Sequence, residues 1–120
     1  MPNPVVHWEI TVRDAERAKE FYGSLFGWHV ESDNPINYGF VDTHTETGIN
    51  GGIPQVQEGD HPRVILYVEV DDLQAYLDRA EELGGRTLMP PTEIPGIVTI
   101  AMFADPEGNT TGLVLSEQPS

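Results

Sequence analysis

The chain repeats itself, and the repeat narrows the folds open to it more than any other feature. Val6, Ile10, Val12, Asp14, Leu25 and Gly27 fall 58 residues ahead of Val64, Val68, Val70, Asp72, Leu83 and Gly85, and His7 falls on Ile65. Each half opens on an alternating apolar run and passes an aspartate suited to cap a helix. It continues through apolar residues at three-and-four spacing and stops at glycine. Ala15, Ala18, Tyr22 and Leu25 in the first half, and Leu73, Tyr76, Leu77, Ala80 and Leu83 in the second, each predict a helix with one apolar face. Phe21, Tyr22 and Phe26 read as packing residues of the first helix, and Trp8 and Trp28 as core.

Short β-rich runs follow each helix: WHVES, NYGFVDT and TGINGGI, then GRTLMP, IVTIAMF and TTGLVL. The order is βαβββ twice, an α+β chain. It forms a single domain over 1–120, made of modules at about 1–56 and 61–117 and joined by the turn-rich stretch IPQVQEGDHPR. Two such modules predict a curved, cup-shaped mixed sheet with the helices on the outside. The segment PPTEIPG should be a bent edge or rim loop, because proline cannot sit in a central strand. DPEGN is a turn by composition.

A strand alternates its faces. In VVHWEITVRD, packing Val6, Trp8 and Ile10 beneath the first helix sends His7, Glu9 and Thr11 to the opposite side. In the second half Val64, Leu66 and Val68 should face the helix, leaving Ile65, Tyr67 and Glu69 on the helix-free side. That face carries polar groups together with Ile65, Tyr67, Met102 or Phe103, and Val114, which suits a lined cup better than a solvated sheet. His7 and Glu9 stand about 6.6 Å apart along a strand, so a water or a small substrate can bridge them as an acid/base pair. The glycines of INGGI read as a bulge or as a strand that approaches a ligand or another chain closely. His29, His44 and His61 read as surface residues.

Composition removes several classes of function. A formal charge of −14 repels nucleic-acid phosphates and anionic membranes. With no cysteine there is no disulfide, no thiolate ligand and no thiol nucleophile, and metal ligands could come only from His, Asp and Glu. No apolar run is long enough to span a bilayer and no leader pattern opens the chain, so the expected location is cytoplasmic.

The stretches VVHWEITVRDAERAKEFYGSLFGW, YVEVDDLQAYLDRAEELGG and FADPEGNTTGLVL, in this order and spacing, resemble the vicinal oxygen chelate superfamily. That superfamily holds glyoxalase I, bleomycin-resistance proteins and extradiol dioxygenases. The resemblance implies an ion held by one ligand from the first and one from the last strand of each module. Carried over, His7 meets the first position, while Asn50, Ile65 and Gly112 stand where His or Glu would be expected. Isoleucine and glycine offer no donor, so no metal and no cofactor are expected.

The resulting expectation is a small-molecule-binding, glyoxalase-like protein lacking the usual metal site. It would act as a metal-independent lyase or isomerase through His7, Glu9 and Tyr67, with Thr11, Asn50, Ile65, Glu69, Met102, Gly112 and Val114 lining the ligand. A bleomycin-resistance-like sequestering protein is the alternative. A metal-dependent glyoxalase-type lyase or dioxygenase with a relocated site at His7, Glu9 and Glu69 is the second. Whether the ligand reacts stays open at this point. The partners expected are a small molecule and a second copy in a homodimer, with no nucleic acid and no membrane.

Overall fold

A computed structural model describes residues 2–34 and 38–116. The expected module ends at Met1 and Glu117, and Asn37 of NYGFVDT, lie outside the described residues. The elements run β1 (Val5–Ile10), α1 (Ala15–Phe26), β2 (His29–Glu31), β3 (Gly39–Asp42) and β4 (Gly51–Ile53), then β5 (Val64–Val70), α2 (Leu73–Glu82), β6 (Arg86–Ile94), β7 (Val98–Ala104) and β8 (Thr110–Leu115). This is the α+β class with βαβββ twice, as the repeat predicts. Cα proximity groups the chain into two compact units, His7–Ile65 and Met1–Val6 with Leu66–Ser120.

Within the first unit β2 and β3 pair antiparallel, β3 and β4 antiparallel, and β4 and β1 parallel. The β1 ladder sets Trp8 opposite Gly51 and Glu9 opposite Gly52. The chain after β4 keeps company with the end of β1. Val12 donates to Pro54 and accepts from Val56, and Thr11 donates to Arg63, so both ends of the connecting stretch are tied down. Asp14 caps α1 by accepting from the Arg17 amide at 3.1 Å, and Gly27 ends it at φ 74°, a conformation glycine adopts without steric cost. The core of this unit is Val30, Val41 and Ile53, packed by Trp8, Val12, Ala18, Tyr22 and Trp28.

Within the second unit β5 pairs parallel with β8, and β8, β7 and β6 follow antiparallel. Asp72 caps α2 through the Ala75 amide at 3.0 Å. Here the repeat misleads by one residue. Leu83 is the C-cap, Gly84 takes the left-handed turn at φ 103°, and Gly85, the repeat's counterpart of Gly27, only closes it by donating to Ala80. Val70, Leu73, Leu77, Ala101 and Leu113 form the core, with Val68, Tyr76 and Phe103 against it. The proline segment is the end of β6, whose pairing with β7 slips between Thr87 and Met89 and again between Met89 and Thr92. It is thus a strand bent around Pro90 and Pro91, as the prolines require.

The helix faces correct the periodic reading in several places. No residue of α1 is fully buried; Leu25 is 59 % exposed, and Phe21 and Phe26 are also mostly exposed. A helix of 12 residues is about 18 Å long, whereas three-residue strands such as β2 and β4 span about 10 Å, so the last turn overshoots them. Leu83 is exposed for a simpler reason, since it lies past the last residue of α2. Val64 and Leu66 were expected beneath the second helix and are instead exposed. The helix packs over β6, β7 and β8, so of the β5 residues only Val68 and Val70 join its core.

Candidate functional site

At Trp8 on one side and His7 and Glu9 on the other the faces of β1 separate as alternation demands, whereas Val6, expected beneath the first helix, is exposed. On the helix side the Trp8 ring lies 5.1 Å from the Trp28 ring, and its indole N–H donates to Ile49 at 2.8 Å. On the other side His7 and Glu9 meet a residue that the sequence reading passed over, Tyr38. Its phenol donates to Glu9 Oε2 at 2.9 Å and lies 3.0 Å from His7 Nε2. The bridge assigned to a water or a substrate is therefore a side chain of the protein itself.

Tyr38 is held from behind by Asn34, whose amide accepts from the Tyr38 N–H at 3.0 Å and donates to the Tyr38 carbonyl at 2.7 Å. Beside it lies Phe40, ring to ring at 4.7 Å. Below it lies Gly52, the ladder partner of both Glu9 and Phe40. A Cβ on Gly52 would stand 1.8 Å from the phenolic oxygen. The neighbouring Gly51 serves Trp8 in the same way on the opposite face, where a Cβ would stand 2.2 Å from the indole. The glycine pair of INGGI therefore clears room for two of the chain's own rings.

Proton counting fixes the polarity of this group. A phenol has one proton; with Glu9 as the carboxylate that accepts it, the contact between His7 and Tyr38 is donated by Nε2–H. The imidazole lone pair then sits on Nδ1. Burial holds the His7 pKa below its ordinary value, which favours the neutral ring over the imidazolium.

The other expected site residues divide by unit. Thr11 accepts from the Arg63 N–H at 2.8 Å and donates to the Arg63 carbonyl at 3.2 Å, bracing the connection between β4 and β5. Asn50 is exposed, and its Oδ1 accepts from the Thr43 amide at 3.0 Å. Ile65 is 1 % exposed. In the second unit Tyr67, Gly112 and Met102 share one rung of the ladder, and Glu69 and Val114 share another. Tyr67 is 3 % exposed and lies across Gly112, where a Cβ would stand 2.5 Å from its ring. Phe103 packs on the helix side, so Met102 is the β7 residue of the opposite face. His29 stands opposite Asp42 in the ladder and 5.8 Å from the His44 ring, all three exposed.

The ladder also revises which residue of β4 corresponds to Gly112. Glu9 pairs with Gly52 as Tyr67, its repeat partner 58 residues on, pairs with Gly112. The matching position is therefore Gly52 and not Asn50. The set becomes His7, Gly52, Ile65 and Gly112, which offers one donor atom type and three positions with none. Among the described residues no three His, Asp or Glu side chains gather within reach of one ion. These residues do not fit the family's metal.

Comparison with known proteins agrees with this architecture. A model of the Glyoxalase/Bleomycin resistance protein/Dioxygenase superfamily matches residues 5–113. The "Glyoxylase-like domain-containing protein" of Didymella fabae is 31% identical over 109 residues, covering 85% of this chain and 85% of its own. "Putative glyoxylase CFP32" of Mycobacterium tuberculosis is 32% identical over 113 residues, covering 88% of this chain, which spans 42% of that relative's length. Among solved structures, hypothetical protein BH1468 from Bacillus halodurans C-125 superposes with a TM-score of 0.71 at 12% identity, covering 100% of this chain and 99% of that one. At such identity the likeness shows the fold alone.

Proposed function

This chain belongs to the Glyoxalase/Bleomycin resistance protein/Dioxygenase superfamily, and from that premise we propose that it binds a compact organic ligand and transfers a proton on it without an ion. The observation that carries the reading is the chain His7–Tyr38–Glu9, with contacts of 3.0 and 2.9 Å. His7 is the acid/base group. Its Nδ1 lone pair accepts a proton from a carbon next to a carbonyl, the electron pair moves onto the carbonyl oxygen, and the imidazolium so formed is set against the Glu9 carboxylate through Tyr38. Return of the proton to a different atom completes an isomerisation. Loss of a β substituent in place of that return completes an elimination. A lowered His7 pKa keeps the base in its unprotonated form near neutral pH, where such transfer is efficient.

Proton abstraction has its own readout. Candidate carbonyl acids incubated in deuterium oxide should exchange the adjacent C–H in the presence of the protein, and His7→Ala should abolish the exchange while leaving binding within a few-fold. Exchange that persists in His7→Ala refutes the reading.

A second reading is sequestration without turnover. It is favoured by the resting hydrogen bonds themselves, since Tyr38 already engages both His7 and Glu9. In that case His7→Ala lowers affinity as much as any other effect, and no exchange occurs with ligands that bind. A homodimer goes with either version. The exposed apolar side chains Phe21, Leu25 and Phe26 near the end of α1 support it, and light scattering of the purified chain tests it. No helix among the described residues is long and apolar enough to cross a membrane.

A further inference from the structure

Two glycines on equivalent rungs do the same thing in the two units. Gly52 faces Glu9 across the β1–β4 ladder and lies under the Tyr38 phenol; Gly112 faces Tyr67 across the β5–β8 ladder and lies under the Tyr67 ring. On the rung where a last-strand side chain would project, a tyrosine fills the volume instead. The phenol comes from the segment before β3 in one unit and from the adjacent first strand in the other. Neither glycine has the positive φ that would explain it by backbone freedom.

We infer that Gly52 is a positioning residue for His7: its missing side chain is the seat of the Tyr38 hydroxyl, and that seat decides which imidazole nitrogen carries the proton. A Cβ there would stand 1.8, 2.1 and 2.2 Å from the phenolic oxygen, Cζ and Cε1. These atoms belong to a ring clamped at its backbone by Asn34. The ring has to leave, because Gly52 is paired on both sides, to Glu9 and to Phe40, and cannot move alone. With the phenol displaced, the bond between His7 Nε2–H and the Tyr38 oxygen is broken, and the share of the tautomer preference that this bond supplies goes with it. The same device accounts for the poor fit to an ion, since restoring a ligand side chain at Gly52 would expel Tyr38.

This inference rests on the hydrogen-bond chain of the proposed site and not on turnover, so its test reads the imidazole directly. Nitrogen-15 shifts of the His7 ring should report Nε2–H as the dominant tautomer in the parent. Gly52→Ala should move both nitrogens toward a mixture, Tyr38→Phe should do the same, and the double variant should add nothing further. Ring nitrogens unmoved by Gly52→Ala overturn the proposal, and so does a Gly52→Ala shift that persists in the Tyr38→Phe background on top of its own effect. Should Gly52→Ala fail to fold, Tyr38→Ala removes the ring it collides with. The alanine at 52 should then lower the melting temperature far less in the Tyr38→Ala background than in the parent. An equal loss in both backgrounds means that Gly52 serves the strand and not the phenol. Absence of proton exchange with any ligand would leave this result intact and would count only against the proposed reaction.

Discussion

Tyr38→Phe removes one oxygen and keeps the ring, so it isolates what the phenolic bridge contributes. Two hydrogen bonds disappear, one from His7 Nε2 and one to the Glu9 carboxylate. A neutral bond is worth about 1 kcal/mol net, and one to an ionised group about 1.5–3 kcal/mol. Tyr38, His7 and Glu9 are only half-buried, so water replaces part of both, and the expected loss is about 1–2 kcal/mol. For a chain of 120 residues, a loss of that size lowers the melting temperature by about 4–10 °C, interpolating between small and mid-sized domains. Thermal unfolding followed by circular dichroism gives the shift, and urea unfolding at an unchanged m-value shows that the denatured state is not its source. The ring contact with Phe40 at 4.7 Å survives the substitution, which rules out lost packing as the cause. If Tyr38→Phe melts where the parent does, the phenol is a bystander and the proton chain has no energetic reality.

Ile53→Ala empties a fully buried position in the first core and should cost about 2–5 kcal/mol by urea unfolding. Asp72→Ala removes the α2 cap and should cost about 1 kcal/mol, with the loss visible as earlier amide exchange in the first turn of the helix. Gly84→Ala forces a side chain to φ 103° and should destabilise, whereas replacing Gly84 with Asn should be milder, because Asn tolerates left-handed backbone better. His7 binds its proton less readily folded than unfolded, so the unfolded state holds more protons as pH falls. Its contribution is complete above the ordinary histidine pKa near 6.5 and is lost as pH falls from there through the folded value; His7→Gln should flatten that part of the stability profile.

Legibility followed the source of each constraint. The element order could be read because each boundary has a local chemical cause: Asp14 and Asp72 as caps, Gly27 as a left-handed stop, and Pro90 and Pro91 as a bend. Faces could be read on β1, where Trp8 and His7 part as alternation requires. They could not be read on α1, because which turns find a strand beneath them depends on strand length, and Leu25 and Phe26 do not. Tyr38 was missed because its partners lie 29 and 31 residues away, on the other side of a helix in sequence. Two local signals could have suggested it. Tyr38, Phe40 and Asp42 alternate toward the face that carries Gly52, and two adjacent glycines within a strand imply that something large covers each side of it.

The ladder explains why the chemistry proposed here belongs to one unit. At repeat-equivalent positions the first strand of one sequence repeat carries His7 and Glu9, and that of the other repeat carries Ile65 and Tyr67. Burying a histidine and a carboxylate costs desolvation that only hydrogen bonds offset, and the first unit meets that cost by threading a phenol between them. At the corresponding rung of the second unit the phenol is itself the first-strand residue, and Tyr67 is 3 % exposed across Gly112. A tyrosine there buries a large ring with a single hydroxyl to satisfy, so one half of the duplication can be packed as a scaffold while the other carries the titratable pair of the proposed site. Swapping the pairs tests this division. Glu9→Tyr should lose both stability and proton exchange, because it removes the acceptor of the Tyr38 phenol and adds a ring beside the one already seated over Gly52, whereas Tyr67→Glu should lose stability sharply and gain no exchange, because it places a carboxylate where a nearly inaccessible ring was packed.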